Sequence, residues 1–454
     1  MTDVSDHLPV FISIDKYINK NSKTSKGIKR DFSKRNIQHF NQDLNDVCWE
    51  ELLASDNVDE AYENSLNCVL HLYDKDFPQC VRQSSINKSK SPWITEGIYN
   101  SIREKKQLYK KFIKNPTVQN KSIYVQFKNK LTSVIRMVKK NFLSKELDKD
   151  KFNIKGTWKL INSLLNKTKV KVNPSYYTQN ETRIDSDVDI ANAFNDYFTN
   201  IANRIAGGLP QSSSSFEDFL GERCAQSLFL TPVTKSDIVH IISKLPSGKA
   251  PGYDGLGTYV VKEADYALAT PLTILINKSF VTGRFPSGLK IGKVVPIYKN
   301  GDKHDISNYR PITILSVFSK VFEKAVQKRL LNFINRHGLL SESQFGFRAN
   351  RSTELAIVSV LNKIINAIEN KQFTVGVFLD LSKAFDTVNH DILSNKLDHI
   401  GIRGVALDWF KSYLSNRKQF VAFNSTTSIH NTITCGVPQG SACTGTFIVY
   451  YIHK

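Results

Sequence analysis

The sequence lacks the features that mark a secreted, membrane-spanning or zinc-binding protein. Its six cysteines include no Cys-x-x-Cys pair, and their spacings match no zinc finger or ribbon. We therefore expect free thiols in a reducing compartment. No stretch approaches about 18 consecutive apolar residues, and the first residues do not form a basic-then-apolar signal peptide. These absences predict an intracellular protein with no membrane span.

Acidic residues are scarce in one long part of the chain. The formal net charge is +20, and residues 82–171 contain 23 Lys and Arg against 5 Asp and Glu. Apolar residues recur there at helical spacing, and Pro116 separates two predicted helices. A basic helical face is often merely solvated, but this one has few acidic neighbours to pair with along the helix. We predict contact with nucleic-acid phosphates, made by Lys105, Lys106, Lys110, Lys111, Lys139 and Lys140.

The most informative stretch of the chain is residues 373–391. A short run rich in Val and Phe, residues 373–379, predicts a buried strand that leads directly into Asp380. A carboxylate at the end of a buried strand is costly unless a partner satisfies it. Two alternatives follow from these residues alone: Asp380 binds a divalent metal such as Mg²⁺, or it caps the N-terminus of the next helix.

Two further segments place functional side chains on turns. Residues 293–302 predict a hairpin with an Asn-Gly turn, and Lys299 and Arg310 would flank it with positive charge. The segment Gly436-Val-Pro-Gln-Gly-Ser441 predicts a rigid loop around Gln439 that feeds a helix. Such a loop can line a pocket, although an ordinary turn has the same composition.

Local patterns also predict the remaining elements. Residues 15–40 are polar and predict a linker, and the serine run at 211–215 predicts a flexible joint. Apolar spacing predicts helices within 40–80 and at 158–165, 190–205, 234–245, 316–337, 354–369, 390–400 and 405–414, and strands at 418–423 and 428–435.

Five stretches of the second half occur in an order and at spacings that together identify a family. They are Ser247-Gly-Lys-Ala-Pro-Gly-Tyr-Asp-Gly, Asn308-Tyr-Arg-Pro-Ile-Thr-Ile-Leu-Ser, Ser343-Gln-Phe-Gly-Phe-Arg-Ala-Asn-Arg-Ser-Thr, Phe378-Leu-Asp-Leu-Ser-Lys-Ala-Phe-Asp and Gly436-Val-Pro-Gln-Gly-Ser. With these motifs, residues 231–454 resemble the reverse transcriptase domain of non-LTR retrotransposons, the LINE-like elements of jockey and CR1 type. Residues 91–165 resemble the segment that joins endonuclease to polymerase in these elements.

The resemblance implies an α+β fold, with the fingers and part of the palm of a right-hand polymerase. An antiparallel sheet packed with helices would follow a mainly helical basic region. The expected layout begins with a remnant of an apurinic-type endonuclease at 1–14, which carries Ser5-Asp6-His7-Leu8-Pro9. A linker at 15–40, a basic helical connector at 41–208 and a flexible linker at 209–230 follow. The reverse transcriptase domain occupies 231–454.

The resemblance also implies roles for individual residues. Asp380 matches the first metal-binding carboxylate of the palm, and Leu381 would offer its backbone carbonyl to the same metal. Two Mg²⁺ ions are expected in the intact enzyme, where they would assist displacement at the incoming triphosphate. Asp386 belongs to the same motif, and we assign it a structural role at a helix start.

The nucleotide-binding residues implied by the family come from the predicted hairpin and from three of the quoted motifs. Lys299 and Arg310 match residues that neutralise the triphosphate, and Arg suits a bidentate grip on phosphate. Phe385 matches the aromatic residue under the sugar, and Gln439 matches the residue beside the incoming nucleotide. The implied partners are an RNA template, a DNA primer or target and deoxynucleoside triphosphates, and the family's chemistry implies a nuclear location.

The sequence departs from the family pattern at both ends. The aromatic-x-Asp-Asp motif and the thumb are absent, no Asp-Asp pair occurs anywhere, and only a fragment of the endonuclease is present. We therefore expect a chain truncated at both ends that does not polymerise by itself. The alternative is a non-catalytic, basic nucleic-acid-binding remnant. A maturase like those of group II introns is a weaker alternative, because those proteins carry a different endonuclease downstream.

Overall fold

The computed structural model describes residues 27–82, 93–149, 154–164, 173–208, 215–445 and residue 447. The chain divides into two compact units, one formed by residues 1–29 and 80–173 and the other by residues 30–79 and 174–454. These limits differ from the predicted domain layout, which placed residues 41–79 and 174–208 in the basic connector. Local composition could not show that both segments pack with the later part of the chain.

The secondary structure of the described residues is dominated by helices. The helices are α1 (Lys34–Asp46), α2 (Trp49–Leu52), α3 (Val58–Asp76), α4 (Glu96–Lys114), α5 (Val118–Lys149), α6 (Ile154–Leu164), α7 (Asp187–Ala206), α8 (Lys235–Ser243), α9 (Thr258–Glu263), α10 (Asp265–Thr282), α11 (Val317–Arg336), α12 (Thr353–Glu369), α13 (His390–His399) and α14 (Val405–Leu414). The strands are β1 (Gly27–Arg30), β2 (Gln79–Arg82), β3 (Tyr177–Gln179), β4 (Thr182–Ile184), β5 (Ile291–Tyr298), β6 (Tyr309–Ile314), β7 (Arg417–Phe423), β8 (Thr426–Thr427) and β9 (Asn431–Ile433).

The first unit contains the predicted basic helical hairpin. The Thr95 side chain accepts a hydrogen bond from the Ile98 N–H and so begins α4, and Pro116 lies in the short turn before α5. The Tyr109 and Tyr124 rings of the two helices lie 5.2 Å apart between centroids. This packing confirms the two helices predicted from apolar spacing, and it leaves most of their lysines exposed.

The sheet of the second unit is mixed rather than antiparallel. Its strand order is β6-β5-β7-β8, with β9 also paired to β7. Strand β5 runs antiparallel to β6 but parallel to β7, so the predicted antiparallel sheet is wrong at the β5–β7 pair. A crossover of more than a hundred residues joins those two strands, and such a connection allows parallel pairing that no local pattern reports.

One face of this sheet packs against α7. Phe194 and Phe198 of α7 contact a buried cluster that includes Val294, Val421 and Tyr309 from three strands. Tyr177 of β3 belongs to the same cluster. The β3–β4 hairpin that carries it was missed, since its strands have only three residues each.

The helices of the second unit enclose a larger apolar core. Thr234 and Asp237 form a capping box at the start of α8, where a helix is predicted over 234–245. Trp409 and Tyr413 of α14 stack with centroids 5.6 Å apart, and Phe285 lies edge-on to both rings. This core positions α11 and α14 next to the loop described below.

Two predictions near the N-terminus meet different outcomes. The predicted linker at 15–40 is wrong from residue 34 onward, because α1 begins at Lys34 and buries Ile37 and Phe40. Its other described residues, 27–33, include strand β1. The endonuclease-like residues 1–14 lie outside the described residues. Among the described helices, none has the length and apolarity needed to cross a membrane.

The predicted buried strand at residues 373–379 is wrong. These residues form neither strand nor helix, and Phe373, Phe378 and Leu379 are almost fully exposed. In the part of the chain that the structure describes, no strand pairs with this run. A strand needs a neighbour to satisfy its backbone groups, so local β propensity is insufficient. The preceding helix, α12, likewise buries none of its residues.

Candidate functional site

The loop at residues 436–442 is fixed by backbone hydrogen bonds to the segment that follows Asp380. The Gly436 N–H donates to the Val388 carbonyl at 2.7 Å, and the Val437 N–H donates to the Phe385 carbonyl at 2.8 Å. The Nε2 of His390 donates to the Gly436 carbonyl at 2.7 Å. Two of the motifs identified in the sequence, 46 or more residues apart, are therefore in direct contact.

The same loop lies along the outer edge of β6. The Thr313 N–H donates to the Gln439 carbonyl at 3.0 Å, which satisfies an edge-strand donor. Gly440 has φ +145°, and a Cβ at this position would lie 2.4 Å from the Thr313 carbonyl oxygen. Only glycine allows so close an approach of two backbones. The Pro-Gln-Gly sequence is thus a docked loop, and not a free turn.

Gln439 holds a partly buried carboxylate. Its Nε2 donates to the Oδ1 of Asp386 at 2.9 Å. Burial raises the pKa of Asp386 to about 6, although the bond from Gln439 and the charge of Lys383 act in the opposite direction. The predicted helix-start role of Asp386 is wrong, because Asn389 caps the N-terminus of the next helix, α13. Asp386 instead sets the orientation of the Gln439 amide.

Phe385 and Gln439 line one open cavity of about 500 Å³. The ring of Phe347 lies 6.2 Å from that of Phe385, nearly perpendicular to it. A Cβ on Gly445 would lie 2.4 Å from the Phe347 ring, so glycine is required for this packing. Phe347 belongs to a motif quoted above, but it was not among the predicted site residues. Its ring, 64% exposed, forms one wall of the cavity.

Lys299 and Arg310 lie at the two ends of the connection between β5 and β6. The predicted tight Asn-Gly turn is wrong, because residues 299–308 join the two strands. Arg310 is directly opposite Ile297 in the strand register, and the Lys299 N–H donates to the Asn308 carbonyl at 2.9 Å. Alternation along β6 places Arg310 on the same sheet face as Ile312, which lines the cavity. Both basic side chains are exposed, and neither forms an ion pair within the described residues.

Asp380 and Leu381 are exposed, and neither contacts the cavity. The helix-capping alternative for Asp380 is wrong, since only turns follow it before α13. The described residues contain no group of three or more His, Cys, Asp or Glu side chains placed to hold a metal ion. Two Mg²⁺ ions need several oxygen ligands in defined positions. One exposed carboxylate does not fit them, and the metal role of Asp380 stays a prediction.

A pair of residues on α11 clamps the far end of the loop, and neither was predicted. The Ala442 N–H donates to the Glu323 carboxylate at 2.8 Å, and the Gln327 Nε2 donates to the Ala442 carbonyl at 2.7 Å. The Tyr413 hydroxyl also donates to Glu323, at 3.0 Å. Burial raises the pKa of Glu323, which is fully inaccessible to solvent. The available signal was an isolated acid on the apolar face of α11.

Comparison with known proteins relates the segments around the cavity to polymerases of mobile elements. Residues 297–454 match the family model described as reverse transcriptase (RNA-dependent DNA polymerase). The chain is 24% identical over 99% of its length to a probable RNA-directed DNA polymerase from transposon X-element of Drosophila melanogaster, and covers 49% of that protein.

Two further relatives are more similar over shorter spans. An RNA-directed DNA polymerase from mobile element jockey of Drosophila melanogaster is 33% identical to the chain. The matched region covers 50% of the chain and 25% of that polymerase. A putative 115 kDa protein in the type-1 retrotransposable element R1DM of the same species is 31% identical over 46% of the chain and 20% of its own length. The chain spans about half the length of the first relatives it matches. Residues 297–454 therefore match the reverse transcriptase family model, and the chain is similar to proteins of non-LTR retrotransposons.

Proposed function

We propose that this chain contributes the nucleotide- and template-binding parts of an RNA-directed DNA polymerase of a non-LTR retrotransposon. The observation that carries the proposal is the convergence of three separated segments on one cavity. Phe385, Gln439 and the Ile312 face of β6 line it, and Arg310 extends from that same face. In this proposal the hairpin belongs to the fingers, and the Phe385 and Gln439 segments belong to the palm.

The cavity has the chemistry that a deoxynucleotide requires. An aromatic ring beside the sugar disfavours a 2′-hydroxyl by contact, and an amide fixed by Asp386 offers a defined polar group near the base. Exposed guanidinium and ammonium groups on the hairpin have no carboxylate partner among the described residues and are free to meet phosphate. The described residues supply binding and orientation in this proposal, and no step is assigned to a metal.

Replacing Arg310 with glutamine is expected to weaken dTTP binding by about 10-fold or more, the loss typical of one charge-assisted hydrogen-bonding partner. Isothermal titration of the full chain with dTTP measures this effect. Arg336, at the last turn of α11, serves as the matched control when replaced by glutamine. Equal affinities of the two variants would contradict the assignment of Arg310.

Primer extension on poly(rA)/oligo(dT) with Mg²⁺ separates the two candidate functions. We expect the chain alone to give no Asp380-dependent synthesis, because a single exposed carboxylate cannot place two Mg²⁺ ions. Synthesis that is lost on replacing Asp380 with asparagine would contradict this expectation and would establish a complete polymerase. Nucleic-acid binding with no measurable affinity for dTTP would instead support the non-catalytic alternative.

A further inference from the structure

Lys383 lies between Asp380 and Phe385 in an unusual backbone conformation. Its φ is +53°, in the left-handed region that favours glycine. This conformation forms a hydrogen-bonded turn, in which the Lys383 carbonyl accepts from the Asp386 N–H at 2.8 Å and from the Thr387 hydroxyl at 3.3 Å. Glycine would form this turn at lower cost, so the lysine side chain is expected to have a use of its own.

The ammonium group of Lys383 is directed to the connection between β5 and β6. Its Nζ lies 3.4 Å from the Ser307 carbonyl oxygen and 5.7 Å from the centroid of the Tyr197 ring. Ser307 is three residues before Arg310, and the next carbonyl, that of Asn308, accepts from the Lys299 N–H. The segment after Asp380 therefore delivers a third cation to the two that the hairpin carries.

The charges around Lys383 are not balanced by ion pairs. Lys299 and Arg310 are close enough to lower the pKa of Lys383 further, after the larger effect of its partial burial. Asp386 and Asp305 raise the pKa of Lys383, but each carboxylate already accepts hydrogen bonds from other groups. Asp386 accepts from Gln439, and Asp305 accepts from the Ser307 N–H and hydroxyl. Within the described residues, none of the three cations has a carboxylate within ion-pair distance.

We propose that Lys383 is a third phosphate-binding residue, which joins Lys299 and Arg310 around the polyphosphate of an incoming deoxynucleoside triphosphate. The inference rests on the proposed function and adds to its site. An ammonium has three donors, and the described residues offer it one hydrogen-bond acceptor, at a long distance. Phosphate oxygens would satisfy the remaining donors and neutralise three mutually repelling charges, whereas a monophosphate has too little charge to engage all three.

The test is titration calorimetry of the full chain with dTTP, inorganic tripolyphosphate and dTMP, in EDTA so that only the protein's own cations meet the phosphates. Replacing Lys383 with glutamine is expected to weaken dTTP and tripolyphosphate binding about tenfold, and Lys383→Arg to retain most of the affinity. Binding of dTMP is expected to change little. Lys363→Gln, an exposed position on α12, removes the same charge elsewhere and serves as the control.

The variant Lys383→Gly separates binding from folding. It relieves the left-handed strain, so its thermal midpoint should equal or exceed that of the natural chain while tripolyphosphate affinity falls. A lower midpoint with unchanged affinity would show a structural role and overturn the inference. If Arg310→Gln weakens dTTP binding but Lys383→Gln behaves like Lys363→Gln, only the role of Lys383 is overturned. If the natural chain binds no dTTP, the nucleotide site itself is wrong.

Discussion

Replacing Glu323 with alanine is expected to lower the free energy of unfolding by about 3 kcal/mol, the combined cost of an unsatisfied donor and a new cavity. The carboxylate is completely buried between α11, α14 and the loop at 436–442. Its removal leaves the Ala442 N–H without an acceptor, while the Tyr413 hydroxyl can still donate to Ser441 at 2.9 Å. Denaturant unfolding measures the loss, and hydrogen exchange at Ala442 locates it.

The glutamine variant at the same position tests the charge separately. Because burial raises the pKa of Glu323, the folded state favours the protonated carboxyl more than the unfolded state does. The natural chain should therefore lose stability as the pH rises from the unfolded-state value of about 4.3 towards the raised folded-state value. Glu323→Gln keeps an acceptor for the Ala442 N–H and cannot ionise, so it should flatten this dependence while retaining most of the stability.

Glu342 provides the matched control for Glu323. Its carboxylate pairs with Arg348 and Arg351 but lies at the surface, where solvent screens both contacts. Glu342→Ala should leave the unfolding midpoint almost unchanged. If Glu323→Ala and Glu342→Ala unfold at the same midpoint, the clamp on Ala442 contributes nothing to stability, and the loop must be held by its other contacts alone.

The helices were predictable because their signals are local. The prediction of a helix over 316–337 agrees closely with α11, Val317–Arg336, and the helix predicted over 234–245 contains α8, Lys235–Ser243. An amphipathic period and a capping side chain act within one or two turns, so the sequence window contains their physical cause. The basic hairpin of α4 and α5 followed from the same reasoning.

The failed strand at 373–379 shows where local reasoning ends. Its composition favours a strand, but strand formation depends on a pairing partner that composition does not reveal. The same limit explains the mixed sheet, in which β7 pairs in parallel with a strand more than a hundred residues earlier. Both errors concern which segments meet, and neither concerns the local preference of a segment.

The candidate site also combines features that local sequence predicts with contacts that only the fold creates. The loop around Gln439 could be predicted, since glycine and proline favour turns at fixed offsets. The bond from Gln439 to Asp386 joins residues 53 positions apart, and that from Ala442 to Glu323 joins residues 119 positions apart. Only the fold brings these pairs together, and they are the contacts that fix the loop.

A variant with six lysines replaced by glutamine is expected to bind single-stranded RNA about 10³-fold more weakly at physiological salt, because fewer counterions are released on binding. The replaced residues are Lys105, Lys106, Lys110, Lys111, Lys139 and Lys140. All six lie on α4 and α5, five of them exposed, and none forms an ion pair among the described residues. The logarithm of the binding constant should also depend less steeply on the logarithm of salt, with a slope reduced by about 4.

The control for this experiment removes equal charge from the other compact unit. Lys235, Lys244, Lys363, Lys371, Lys411 and Lys418 are all exposed, so replacing them with glutamine gives the same net charge without touching the hairpin. If affinity depends only on net charge, both variants should weaken binding equally, and the helical hairpin would have no special role. A loss confined to the α4–α5 variant, together with its reduced salt slope, would locate the phosphate contacts on that hairpin. Retained binding by that variant would contradict the prediction outright.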